Sequence, residues 1–251
     1  NMPLNVRTRL GIRWEDLSHL NDRLIYASLS AYGEKGEEAS KTGFDSTAWW
    51  ARSGLMDNVR SAPDAPPARS LPGMGDHATA MSLFGAIMLA LFRRERTGKG
   101  GMVGTSLMAN GVWSNAFLAQ AMLCGAPFKL RPKREESLNA LNNLYEAADG
   151  RWFMLAMVSE DRQWPGLLKA IERPELAADA RFVDKPARIA NSHALVAELD
   201  RTFATRDYAW WQARMDECGV TFGSIAKLGD LETDAQMLAT DVIVPLNDPN
   251  S

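Results

Sequence analysis

Residues 126–138 constrain the fold of this chain more than any other stretch. Pro127 and Pro132, a run of charged side chains and few apolar residues, with Gly125 just ahead, read as a linker between two domains. The sequence differs in texture on either side of it. Ahead of it stand one short apolar strand and long apolar helices; behind it come a hairpin and amphipathic helices. With 251 residues, the chain has enough material for a core on each side.

In the first part, Leu10, Ile12, Trp14, Leu17 and Leu20 predict short helices over 6–20. The apolar run from Leu24 to Leu29 follows Asn21-Asp22 and ends at Tyr32-Gly33, the pattern of a buried strand and a loop. A helix is expected over 44–55, ending at Gly54, and then an irregular Pro- and Gly-rich loop over 61–75. Met81, Phe84, Ile87, Met88, Leu91 and Phe92 recur at helical spacing within 78–93. A basic, glycine-rich turn follows, and then a second helix over 103–123, whose Gly111 and Ser114 permit close packing.

In the second part, residues 144–147 and 152–158 flank Asp149-Gly150, a hairpin signal. Helices are expected over 162–171, 192–204 and 207–218, the last closed by Gly219, and a strand over 220–225. The fold class is α/β.

Lysine and arginine number 28 against 31 aspartates and glutamates, a formal charge of −3, which gives no reason to expect nucleic acid or an anionic membrane as partner. Two cysteines, Cys124 and Cys218, make neither a disulfide framework nor a metal site, so a reducing, cytoplasmic setting is the expectation. The apolar stretch 81–92 is too short to span a bilayer, and no signal-peptide pattern opens the chain.

One acidic residue stands out. In Gly73-Met74-Gly75-Asp76-His77, a flexible loop delivers a carboxylate to the entrance of an apolar helix. Asp76 there is either an ordinary helix cap or a reactive carboxylate. The pairs Trp49-Trp50 and Trp210-Trp211 read as packing residues. His19 and His193 have no motif around them, and His77 points away from its neighbour Asp76.

Several ordered motifs resemble family III CoA-transferases, the group of formyl-CoA and carnitine CoA-transferases and α-methylacyl-CoA racemases. They are the run from Leu24 to Gly33, Gly43-Phe44-Asp45, Ser53-Gly54-Leu55-Met56, Gly75-Asp76 with the helix after it, and the turn from Arg94 to Gly100. Beyond the linker come the hairpin from Leu144 to Trp152 and the segment from Cys218 to Gly223. The resemblance implies a partial Rossmann-like large domain holding CoA (1–125), a smaller α+β domain (139–230), a return toward the large domain (231–251) and an interlocked homodimer. It makes Asp76 the nucleophile that attacks an acyl-CoA, with a carboxylic acid as acceptor and the CoA thioester as substrate rather than as a bound cofactor.

The resemblance also places Lys41, Thr42, Gly43, Phe44 and Asp45 against CoA or substrate. Lys41 is equally a surface lysine and Asp45 a helix cap. Racemases of this group resemble the chain except that a histidine stands where it has Phe44, which disfavours two-base racemisation. Glu160 aligns loosely with a racemase acid, but reads first as a glutamate at a helix start. The glycine-rich loop of some transferases is replaced here by Ser137-Leu138-Asn139-Ala140-Leu141-Asn142-Asn143. Family members are longer, so a noncatalytic or partner-dependent subunit is a further alternative.

Overall fold

The computed structural model describes residues 1–244. They form two compact units that part between Arg131 and Pro132. Each is described by itself.

The large unit is built on a parallel pair of strands. After helices α1 (Leu4–Leu10) and α2 (Trp14–Leu17), strand β1 (Ile25–Ser30) runs into a loop, a π-helical segment (Asp45–Ala51) and the short helix α3 (Leu55–Asn58). The long helix α4 (Met74–Thr97) then carries the chain back to β2 (Gly101–Ser106), which pairs with β1 in parallel register, Ile25 opposite Gly101 and Ser30 opposite Ser106. This is a strand–helix–strand crossover. Helices α5 (Leu107–Ser114) and α6 (Ala116–Leu123) follow.

The expected helix over 103–123 is corrected at its start and in its middle, while its end at Leu123 holds. Its first four residues belong to β2, and the rest breaks at Asn115 into two helices. Val103 and Thr105 are β-branched and suit the strand, and Ser106 then caps α5 by accepting the Ala109 N–H at 3.1 Å. The expected helix over 44–55 is likewise divided. The Arg52 N–H reaches back five residues to the Thr47 carbonyl, and Gly54 opens the next helix with φ +86°. Gly100 is required where β1 and β2 meet: a Cβ there would lie 1.9 Å from the Leu24 carbonyl oxygen.

Helix α4 departs from expectation in two respects. Met81, Phe84, Met88 and Phe92 are exposed and Ile87 and Leu91 half-buried, so the apolar stripe is not a buried face within this unit. At 24 residues, with a mean hydropathy of 1.3 over its most apolar window, the helix is also long and apolar enough to cross a membrane by length and composition. The stretch 81–92 taken alone was too short because the helix begins at Met74 and runs on to Thr97.

The small unit opens with a 3-10 turn, Arg134–Glu136, inside the expected linker. Arg134 is fixed there by a two-pronged bond to Asp200, at 2.8 and 2.7 Å. Strands β3 (Leu144–Glu146), β4 (Trp152–Leu155) and β5 (Phe222–Ser224) form an antiparallel sheet in the order β3-β4-β5. Helices α7 (Glu160–Ala170), α8 (Lys185–Ala190), α9 (Ser192–Phe203) and α10 (Tyr208–Glu217) complete it, with α11 (Ala235–Ala239) near its end. Gly219 follows α10 with φ +67°, as the sequence predicts.

The core of the small unit is aromatic. Phe153 and Phe203 meet edge to face at 4.8 Å, and Phe203 meets Trp211 at 5.0 Å. Two of its buried polar tips are satisfied: the Tyr145 hydroxyl donates to the Ala140 carbonyl at 2.7 Å, and the Trp211 indole N–H to the Phe203 carbonyl at 2.9 Å. Residues 231–244, the described part of the expected return 231–251, group with the small unit; 245–251 lie outside the described residues.

Candidate active site

The carboxyl end of β1 gathers the candidate residues. Tyr32 follows the strand, and Gly43 packs on it so closely that a Cβ would fall 2.8 Å from the Tyr32 ring and 2.9 Å from the Ala31 side chain. Only glycine permits that approach. Lys41 lies over the same ring, 5.2 Å from its centre, and pairs with Glu38 at 2.6 Å. Thr42 and Phe44 are exposed.

Asp45 connects this segment to Asp76. One of its carboxylate oxygens accepts the Ser46 N–H and the other the Gly73 N–H, both at 2.6 Å. Gly73 is the cap of α4, with φ +85°. Asp76 is therefore not the cap the sequence suggests but the third residue of the helix, and its side chain makes no capping bond. Glycine takes the cap position because the chain must turn there through a left-handed conformation. The Asp76 carboxylate is exposed and has no hydrogen bond or ion pair with any described residue. His77, also exposed, folds its ring back over Gly73.

Two partners of Trp49 and one cavity near this site escaped the sequence reading. Trp49 is buried against Gly75, where a Cβ would lie 2.5 Å from its ring. The carbonyl of Trp49 lies as close to Gly111 of α5, at 2.2 Å from a built Cβ. Finally, Ser28, Ser30, Glu34, Gly104 and Ser106 line an open cavity of about 410 Å³ at the carboxyl ends of β1 and β2. Beside it, the buried guanidinium of Arg7 donates to Ser28 at 3.0 Å and pairs with Glu34 at 2.7 Å. The alternation of Ser28 and Ser30 in an otherwise apolar strand was the one available signal, since residues two apart share a face.

Glu160 has structural partners. It is buried at the start of α7, accepts the Asn139 amide at 2.9 Å, and lies 3.6 Å from Lys185 and 3.8 Å from Arg188. Asn139, one of the asparagines standing where a glycine-rich loop was sought, is thereby committed within the small unit. Both tryptophan pairs are packing residues: Trp49 stacks on Trp50 at 5.5 Å, and Trp210 meets Trp211 at 4.7 Å. Among the described residues no group of three histidine, cysteine, aspartate or glutamate side chains could hold a metal ion.

A strand–helix–strand unit and a small α+β unit make this a mixed α/β protein, and its structural neighbours include the CAIB/BAIF family. A structure of that family from Brucella suis superposes with a TM-score of 0.82 at 28% identity, covering 95% of this chain and 62% of its own. A Mycobacterium tuberculosis protein shares the fold, with a TM-score of 0.82 at 23% identity, over 98% of this chain and 63% of its own.

The profile of CoA-transferase family III matches residues 1–251, and the chain belongs to that family. It is similar to an acetyl-CoA:oxalate CoA-transferase of Acetobacter aceti, 31% identical over 97% of this chain and 62% of that one. A (R)-2-hydroxy-4-methylpentanoate CoA-transferase of Clostridioides difficile is 27% identical over 97% and 60%. A succinyl-CoA–D-citramalate CoA-transferase of Chloroflexus aurantiacus is 32% identical over 96% and 59%. The chain thus spans about three fifths of the length of these relatives.

Proposed function

We propose that this protein transfers CoA from an acyl-CoA to a carboxylic acid through covalent intermediates on Asp76. One observation carries the reading: Asp76 is an exposed carboxylate without a partner among the described residues, held at the start of α4 by a turn that Asp45 anchors. The names of the relatives, all CoA-transferases, support the reaction class.

An oxygen of Asp76 attacks the thioester carbonyl and expels the CoA thiolate, leaving a mixed anhydride. The thiolate then attacks the aspartyl carbonyl, releases the donor acid and leaves CoA on the enzyme as a thioester. The acceptor carboxylate attacks that thioester and frees the thiolate again, which takes the acceptor acyl group and restores Asp76. Each step exchanges one acyl bond for another, so no redox partner is needed. The first N–H groups of α4 precede its intrahelical hydrogen bonds and are donors near the carbonyl oxygens that become negative.

CoA enters as substrate on a Rossmann-like domain, within a homodimer in the cytoplasm; the free thiols of Cys124 and Cys218 suit that compartment. Phe44, exposed beside Asp45, offers no proton-transfer group, so racemisation is the weaker reading.

The test is incubation of the protein with acetyl-CoA or succinyl-CoA and hydroxylamine, followed by peptide mass analysis. The expected result is a hydroxamate on the peptide containing Asp76, absent in Asp76→Ala. No adduct from any acyl-CoA on folded protein would remove Asp76 as the nucleophile.

A further inference from the structure

The π-helical segment touches the approach to Asp76 at three successive points. The Trp50 indole N–H donates to the Ala68 carbonyl at 2.5 Å. Asp45 accepts the Gly73 N–H at 2.6 Å. The ring of Trp49 rests on Gly75, directly before Asp76, at a separation that excludes any side chain there. The segment is itself fixed from behind, because the Trp49 carbonyl accepts the Ser53 hydroxyl at 2.5 Å and abuts Gly111. Turns of this wide kind are rare and are frequently found at functional sites.

We propose that the segment Asp45–Ala51 is a positioning clamp for Asp76, with Asp45 and Trp49 as its two working side chains. The proposal rests on Asp76 being the nucleophile, and it gives Asp45 a role other than contact with CoA. Asp45 has committed both oxygens to backbone N–H groups. Trp49 is buried and its indole N–H has no partner among the described residues, so its contribution is the body of the ring against Gly75. Neither side chain needs to touch substrate. Together they set the direction in which the first turn of α4 presents its carboxylate. A displacement of about 1 Å at a reacting group can cost on the order of a hundredfold in rate.

Four variants of the full chain test this: Asp45→Ala, Asp45→Asn, Trp49→Ala and Trp49→Phe. Asparagine retains an oxygen that can accept the Gly73 N–H, and phenylalanine retains a ring for Gly75. Two readouts are taken, the rate of hydroxylamine trapping on Asp76 across acyl-CoA concentrations and hydrogen exchange at the Gly73 and His77 amides.

The alanine variants should trap at least roughly tenfold more slowly at saturating acyl-CoA with half-saturation unchanged, and should lose exchange protection at Gly73. The asparagine and phenylalanine variants should restore both. If the alanine variants match the wild type in exchange and trapping, or if half-saturation alone rises, the clamp is wrong. Failure of the wild type to trap at all would instead remove the nucleophile assignment, and exchange would still decide whether the turn is held.

Discussion

Two glycine-to-alanine changes in the same helix should have opposite effects on stability. At Gly75 the added Cβ would sit 2.5, 2.6 and 2.8 Å from three atoms of Trp49, nearly 1 Å inside ordinary contact. Overpacking of this degree costs about 1–3 kcal/mol. Alanine returns about 0.5–1 kcal/mol through its better helix propensity, so Gly75→Ala should destabilise the large unit by up to about 2.5 kcal/mol. Gly85, ten residues further along α4, has nothing within 4 Å of its built Cβ. There the change keeps only the propensity gain, about 0.5–1 kcal/mol. Urea unfolding followed by circular dichroism, with midpoints compared at a common slope, measures both. Equal stabilisation by the two changes would refute the reasoning, because it would mean that Trp49 is not seated against Gly75.

Two further predictions concern the small unit. Glu160→Ala removes the acceptor of the Asn139 amide and a carboxylate close to the buried Arg188; loss of about 1–3 kcal/mol is expected in urea unfolding, and an unchanged midpoint would show that Asp161 alone satisfies Arg188. Asp230 is held below its ordinary value first by a hydrogen bond from Arg151 and then by the Lys227 backbone N–H. A carboxylate depressed in the folded state contributes stability above its unfolded value of about 4, and that contribution is lost as the pH falls through the depressed value. Asp230→Asn should therefore destabilise the chain at neutral pH and flatten the acid side of its stability profile; a profile parallel to the wild type between pH 3 and 6 would contradict this.

The sequence carried its local signals well. An apolar run bounded by polar residues marked β1, Asp149-Gly150 marked the hairpin, and Gly219 marked the end of α10. It failed where distant partners decide. Residues 103–106 looked like the start of a helix because apolar residues follow them, yet they pair with β1, nearly eighty residues earlier. The bond from Gly73 to Asp45 spans 28 residues and leaves no local pattern, which is why Asp76 passed for a cap. The exposed stripe of α4 was legible as a helix but not as uncovered. Helix α8 was missed although its signal was present: Asp184 at the cap, bonded to the Ala187 N–H at 2.8 Å, with proline just inside.

Trp49 meets two glycines in different ways, and the difference should be readable in how these positions vary among relatives. Against Gly75 it presents a side chain, which a smaller residue can replace. Against Gly111 it presents its backbone carbonyl, which every residue carries. Position 75 can therefore gain bulk in lineages where position 49 loses it, so the two should vary as a pair. Position 111 has no such exchange open to it. It should stay glycine whatever stands at 49, unless the whole of α5 has moved away.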